Sequence, residues 1–253
     1  MPSDPFESPL LRISRAKEHI QDFHTRTDAF MKKEPWAKVT ELDPDGFHEV
    51  HKMRFIGEIP SNLRAVAAEA ADGLRSALDQ AVFATAALAG KPDAKSAYFP
   101  IADDISGLDN VIKGRCKDVP PDIITLLRAF KPYEAGNPLI WSFNKLRQSN
   151  QHKILVPLGI ALGPTTFSYS AAMITGGMVT PYWDSAKNEI VYARFGPGTR
   201  NVDYDIQFRF TIAFNPIGIG GRGPALLELQ RFVSEAERIV RALKAECVRI
   251  GLM

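Results

Sequence analysis

Hydrophobic positions in the first half of the chain recur at helical spacing. Ile13, Ala16, Ile20, Phe23, Thr27 and Phe30 alternate steps of three and four, with Arg12, Arg15, Glu18, Asp22 and Arg26 largely outside the stripe. The pattern predicts a helix from about Leu10 to Lys33, stopped by Pro35. Two β-prone runs, Trp36–Leu42 and Phe47–Ile56, flank Asp43-Pro-Asp-Gly46 and predict a hairpin. A long alanine-rich helix follows from Asn62 to Ala89, capped by Ser61 or Asn62 and ended by Gly90. On it Asp72, Ser76 and Asp79 share a face, and Arg75 stands four residues before Asp79. An irregular stretch then carries Tyr98-Phe-Pro-Ile101 and a short helical piece near Leu108–Gly114. Pro120-Pro121 opens a helix to about Phe130, and Pro132 stops it. Pro138 opens the next, whose buried edge is Leu139, Phe143 and Leu146.

After Lys153 the period changes from 3.6 to 2. Val202, Tyr204, Ile206, Phe208, Phe210, Ile212 and Phe214 alternate with Asp203, Asp205, Gln207, Arg209, Thr211 and Ala213. That is one long strand with one face buried and one wet. Phe167–Ile174, Met178–Trp183 and Glu189–Phe195 are shorter strands separated by turn material, which suggests an antiparallel meander. The chain closes on a helix from about Pro224 to Ile250, striped by Leu226, Leu229, Val233, Ala236, Val240, Leu243, Cys247 and Ile250. It must pack back on the sheet or on the other helices. Helices, then strands, then a helix argue for α+β. The expectation is a single α+β domain over residues 1–253. It is mainly helical over 1–153, with an antiparallel sheet over 154–216 and a C-terminal helix over 223–251. The N-terminal helical bundle carries the β-hairpin, and the long terminal helix packs back on the fold.

Composition narrows the class without naming a function. The chain has 253 residues, 45% hydrophobic and 24% charged, which excludes a disordered or fibrous chain. Lys plus Arg is 31 and Asp plus Glu is 29, so the net charge of +2 does not announce nucleic-acid binding. The runs Ala81–Ala89 and Ile154–Leu162 fall short of a membrane span, and the polar, acidic N-terminus shows no signal peptide. No membrane partner is expected. Cys116 and Cys247 belong to no C-x-x-C pair and are expected as buried thiols in a cytoplasmic protein.

Several motifs fail their context. Gly218-Ile-Gly-Gly-Arg-Gly223 spells G-x-G-x-x-G, but no second strand with an acidic residue follows before Met253, so a flexible connector is expected. His19 and His24 lie about 140° apart on a helix, and His48 and His51 point to opposite faces of a strand, so no metal site and no cofactor are expected.

One constellation remains: Asn144-Lys-Leu-Arg147-Gln-Ser-Asn150-Gln-His152-Lys153, at the end of the helix that Pro138 opens. Together with Gly73-Leu-Arg-Ser-Ala-Leu-Asp-Gln80 and Tyr98-Phe-Pro-Ile101, it resembles a widespread uncharacterised bacterial family with an N-L-R-S-A-L-D-H helix, an F-P-I segment and an N-x-x-D-K-H-R helix end. The chain departs from that pattern at Gly73, Gln80, Asn150, Gln151 and Lys153, and keeps Asp79 and His152. More loosely, Arg147 and His152 resemble the R-x(4–6)-H signature of the HEPN superfamily. That resemblance implies metal-independent cleavage of RNA across a homodimer, in a toxin or defence system. His152 would take the 2′-hydroxyl proton and Arg147 would hold the phosphate. Asn144, Asn150, Lys153 and Asp79 would be its substrate-binding residues, with cationic surface from Lys145, Lys153 and Lys131.

Residues five apart project about 140° apart on a regular helix, so a shared cleft requires the last turn to loosen. The other reading is structural. His152 caps the helix and contacts Asp79, while Arg147 makes an ion pair. The sequence therefore favours a non-catalytic binding or interaction protein, with the HEPN-like endoribonuclease as the alternative.

Overall fold

The computed structural model describes residues 4–152, 158–162, 166–173, 176–184, 187–197, 200–207, 210–214 and 223–253; Ser149–His152 are described in their backbone alone. The fold is α+β. Its helices are α1 (Glu7–Met31), α2 (Ser61–Leu88), α3 (Ile105–Arg115), α4 (Pro121–Ala129), α5 (Pro138–His152) and α6 (Ala225–Arg249). Its strands are β1 (Trp36–Leu42), β2 (Glu49–Phe55), β3 (Leu158–Leu162), β4 (Thr166–Met173), β5 (Gly176–Asp184), β6 (Glu189–Phe195), β7 (Arg200–Gln207) and β8 (Phe210–Phe214). No described helix is long and apolar enough to cross a membrane.

The chain divides into two compact units. The first holds residues 1–25, 61–158 and 214–253; the second holds 26–60 and 159–213. The sequence boundary at residue 153 follows the change of period. The units cross it, because the hairpin at 36–55 joins later strands.

In the first unit α2 packs against α6 and α5, and α6 also meets α5 and α4. Leu63, Ala67, Ala70, Leu74, Ala77 and Ala81 of α2 have no exposed surface. These small side chains let a neighbouring helix approach closely, since interaxial distance follows side-chain size. The predicted stripe of α6 is buried from Leu229 to Cys247, with Leu226 and Ile250 half-buried at its ends. α6 thus returns to the helices. α5 begins where Asn137 Oδ1 accepts the Ile140 N–H at 3.2 Å, with Pro138 in the first turn, where a missing N–H costs nothing. α2 ends at Gly90, whose φ of +82° is the left-handed conformation that glycine adopts freely.

The second unit contains a four-stranded sheet in the order β1-β2-β6-β5, with all three pairings antiparallel. The hairpin is therefore half of this sheet. One face buries Met53, Ile190, Tyr192 and Phe195, with Trp36 and Phe210 packed against them. The expected meander is replaced by nested pairs. β5 pairs with β6, β4 pairs with β7, and β3 pairs with β8. The physical reason is length, because the alternation from Val202 to Phe214 needs an equally long partner. The arm from β3 through β4 supplies one by running back along it. The expected long strand is described as β7 and β8, and residues 208–209 between them lie outside the described residues. In β5 the register shifts between Met178 and Tyr182, the stretch holding Pro181, which has no N–H for the ladder.

Two polar clusters fasten this sheet. Glu189, 2% exposed, accepts from Arg54 Nε at 2.5 Å and faces Lys52 Nζ at 3.4 Å. At the hairpin turn, Asp45 Oδ1 accepts the Phe47 and His48 N–H groups at 2.8 and 3.0 Å. Asp45 Oδ2 meets His48 Nδ1 at 2.6 Å and Arg194 Nη2 at 2.5 Å.

The backbone N–H of Phe47, then that of His48 and its ring, hold the Asp45 carboxyl down from 3.8 to about 2. The folded value is depressed, so the contribution is complete above the ordinary carboxylate pKa and is lost as pH falls through about 2. We expect carboxyl NMR to place the Asp45 midpoint near 2. Asp45→Asn should flatten the stability curve in that acid window. An unshifted midpoint would contradict the turn geometry.

Candidate functional site

The site is built on α2. Its apolar face would be continuous but for Arg75 and Asp79, four residues apart and so on one side of the helix. Arg75 is 2% exposed, and a charge so deep persists only with partners. Its Nε donates to Asp79 Oδ2 at 3.1 Å, and its Nη2 lies 2.8 Å from Asp79 Oδ1. The same Nη2 donates to the Phe99 carbonyl at 2.8 Å. Asp79 Oδ1 in turn accepts the Phe99 N–H at 3.0 Å. One guanidinium and one carboxylate therefore grip both backbone groups of Phe99, the centre of the Tyr98–Ile101 segment.

The grip explains why that irregular segment holds still. Phe99 is fully buried, and its ring stacks on Phe130 with centroids 6.4 Å apart. Beside it the Tyr98 N–H donates to the Arg115 carbonyl at 3.0 Å, and Cys116 Sγ lies 3.3 Å from the Tyr98 carbonyl. The end of α3 is thereby fixed against the same strip of chain.

Arg147 comes to α2 from α5. Its Nε meets Asp72 Oδ1 at 3.3 Å, with side chains 28% and 44% exposed. An ion pair this open contributes about 0–1 kcal/mol. Burial pushes the pKa of Arg75 down, Asp79 holds it up, and the charges of Arg115 and Arg147 push it down again. Three guanidinium groups thus share this region with the two carboxylates of Asp72 and Asp79.

Of the residues expected from the sequence, Asp79 and Arg147 both stand at α2, but each has its own partner. Asn144 is half-buried on α5. The side chains of Asn150 and His152 lie outside the described residues, as does all of Lys153, and the Asp79–His152 contact falls with them. Most of the glycine-rich connector, residues 218–222, lies there too. The backbone of α5 is helical from Pro138 to His152. Lys145, expected as free cationic surface, pairs with Asp103 at 2.7 Å and lies over the Trp141 ring. Among the described residues no group of His, Cys, Asp or Glu could hold a metal ion.

Arg75 is the functional candidate that the sequence reading passed over. Its signal was present, because a lone arginine inside an alanine and leucine face must find an acidic partner nearby. Both thiols are buried, and desolvation pushes Cys116 and Cys247 up to about 11. They should resist iodoacetamide at pH 8 until the chain unfolds, and prompt labelling of the native protein would contradict that burial. No protein-family model matches the chain, and neither a curated protein nor a solved structure matches it significantly.

Proposed function

We propose that the chain is a non-catalytic binding protein and that the α2–α5 polar cluster serves recognition rather than bond cleavage. The observation that carries this reading is the engagement of the cluster. Asp79 is held by Arg75 and Phe99, and Arg147 faces Asp72. A general base and its phosphate-holding arginine must converge on one reacting group. Arg147 is turned to Asp72. The segments that resemble the uncharacterised bacterial family, around Arg75, Phe99 and Asn144, are the ones that build this cluster. Any common property of that family would therefore rest on the Arg75–Asp79–Phe99 grip.

The test is incubation of purified protein with total RNA in the presence of chelator, beside His152→Ala and Arg147→Ala. The RNA should stay intact in all three samples. Cleavage by the wild type that both substitutions abolish, with folding intact by circular dichroism, would overturn the reading in favour of the ribonuclease.

A further inference from the structure

We infer that the buried end of Arg75 is an oxyanion-binding position, which takes a phosphate or carboxylate group between Arg75, Arg115 and Arg147. This rests on the binding reading and names the ligand class that the cluster would recognise.

The argument begins with a count of donors. A guanidinium carries five N–H groups in one plane. Asp79 and the Phe99 carbonyl use Nε and Nη2. Nη1 is buried and has no hydrogen-bond partner among the described residues. Buried polar groups are almost always paired, and an unpaired donor on a charged group is among the costliest exceptions. Such an orphan on an otherwise saturated side chain calls for an acceptor that the described residues do not supply.

The surroundings fix the sign of that acceptor. Arg115 and Arg147 both raise the positive potential at Arg75. Asp72 offsets Arg147, and Asp79 offsets Arg75. Arg115 makes no ion pair among the described residues, so one positive charge is left over. A negatively charged acceptor at Nη1 would satisfy the donor and the charge together. Oxyanions suit the planar fork of arginine, and charge-assisted hydrogen bonds to them are the stronger kind.

The position is also reachable. The side chains of Asp79, Asp72 and Arg147 keep 23%, 44% and 28% of their surface exposed, so the partner that holds Arg75 meets solvent.

The experiment is thermal unfolding of the full chain in sodium phosphate, sodium acetate and sodium chloride at matched ionic strength and pH 7. The variants are Arg115→Gln and Arg147→Gln, neither of which sits in the core. A ligand bound by the native state alone raises Tm with its concentration. We expect a dose-dependent rise of several degrees in phosphate or acetate over chloride, and the arm that responds names the ligand chemistry. The rise should shrink by at least half in each variant.

Equal Tm values in all three salts would overturn the inference, and so would a rise that survives both substitutions. If the salts are equal while RNA stays intact, the oxyanion position fails and the binding reading stands. If RNA is cleaved, the binding reading fails whatever the salts do. A crystal grown in phosphate gives a second readout. A phosphate oxygen within hydrogen-bond distance of Nη1 supports the assignment, and an ordered water there in its place overturns it.

Discussion

Asp79→Ala should be among the most damaging single substitutions in the protein, at about 3–5 kcal/mol, the usual cost of leaving a buried charge without its partner. Arg75 is 2% exposed and has only one carboxylate within reach of its fork. Removal of that carboxylate strands the guanidinium beside Arg115 and Arg147, which already repel it. It also strips the acceptor from the Phe99 N–H. Asp79→Asn should be milder, because an amide oxygen still accepts from Phe99, while the charge and the acceptor for Arg75 Nε are lost. Urea denaturation of the two variants checks the order. Equal stabilities would mean that the oxygen accepting the Phe99 N–H contributes nothing beyond the charge.

Phe99→Ala should cost about 3–5 kcal/mol by a different route, the usual range for truncating a buried phenylalanine. The ring is fully buried and stacks on Phe130, and nothing polar on it needs satisfying. The backbone of residue 99 still offers its N–H and carbonyl to Asp79 and Arg75. The loss is therefore packing alone and should be independent of pH. Because Phe99 and Asp79 touch, the two substitutions should not add when combined. A loss below about 1 kcal/mol would be far short of what a buried ring contributes and would place it at the surface.

Much of this fold was legible in the periodicity. The stripes on α1 and α6 predicted both helices to within a few residues, because an amphipathic helix leaves its phase in the sequence. Prolines 35, 121 and 138 marked boundaries through their geometry. Pairing was harder to read. Alternation shows that Val202–Phe214 is β-structure, but it carries no information about partners, so nested pairs and a meander look alike. The hairpin showed Asp43-Pro-Asp-Gly46 plainly, yet nothing local revealed that β2 would take β6 as its second neighbour. The site was half legible. Spacing put Asp79 and Arg75 on one face, while the third party to their contact is the backbone of Phe99, which has no side-chain signature. Arg115 reaches the cluster only through the fold.

The central claim is that Arg75 and Asp79 form one coupled unit that anchors the Phe99 segment. A double-mutant cycle with Arg75→Met, Asp79→Ala and the pair together measures it directly. Replacing both members of a buried pair by apolar groups is commonly far less costly than breaking it. The double variant should therefore be more stable than Asp79→Ala alone, with a coupling of about 1–3 kcal/mol. Losses that simply add would contradict the claim.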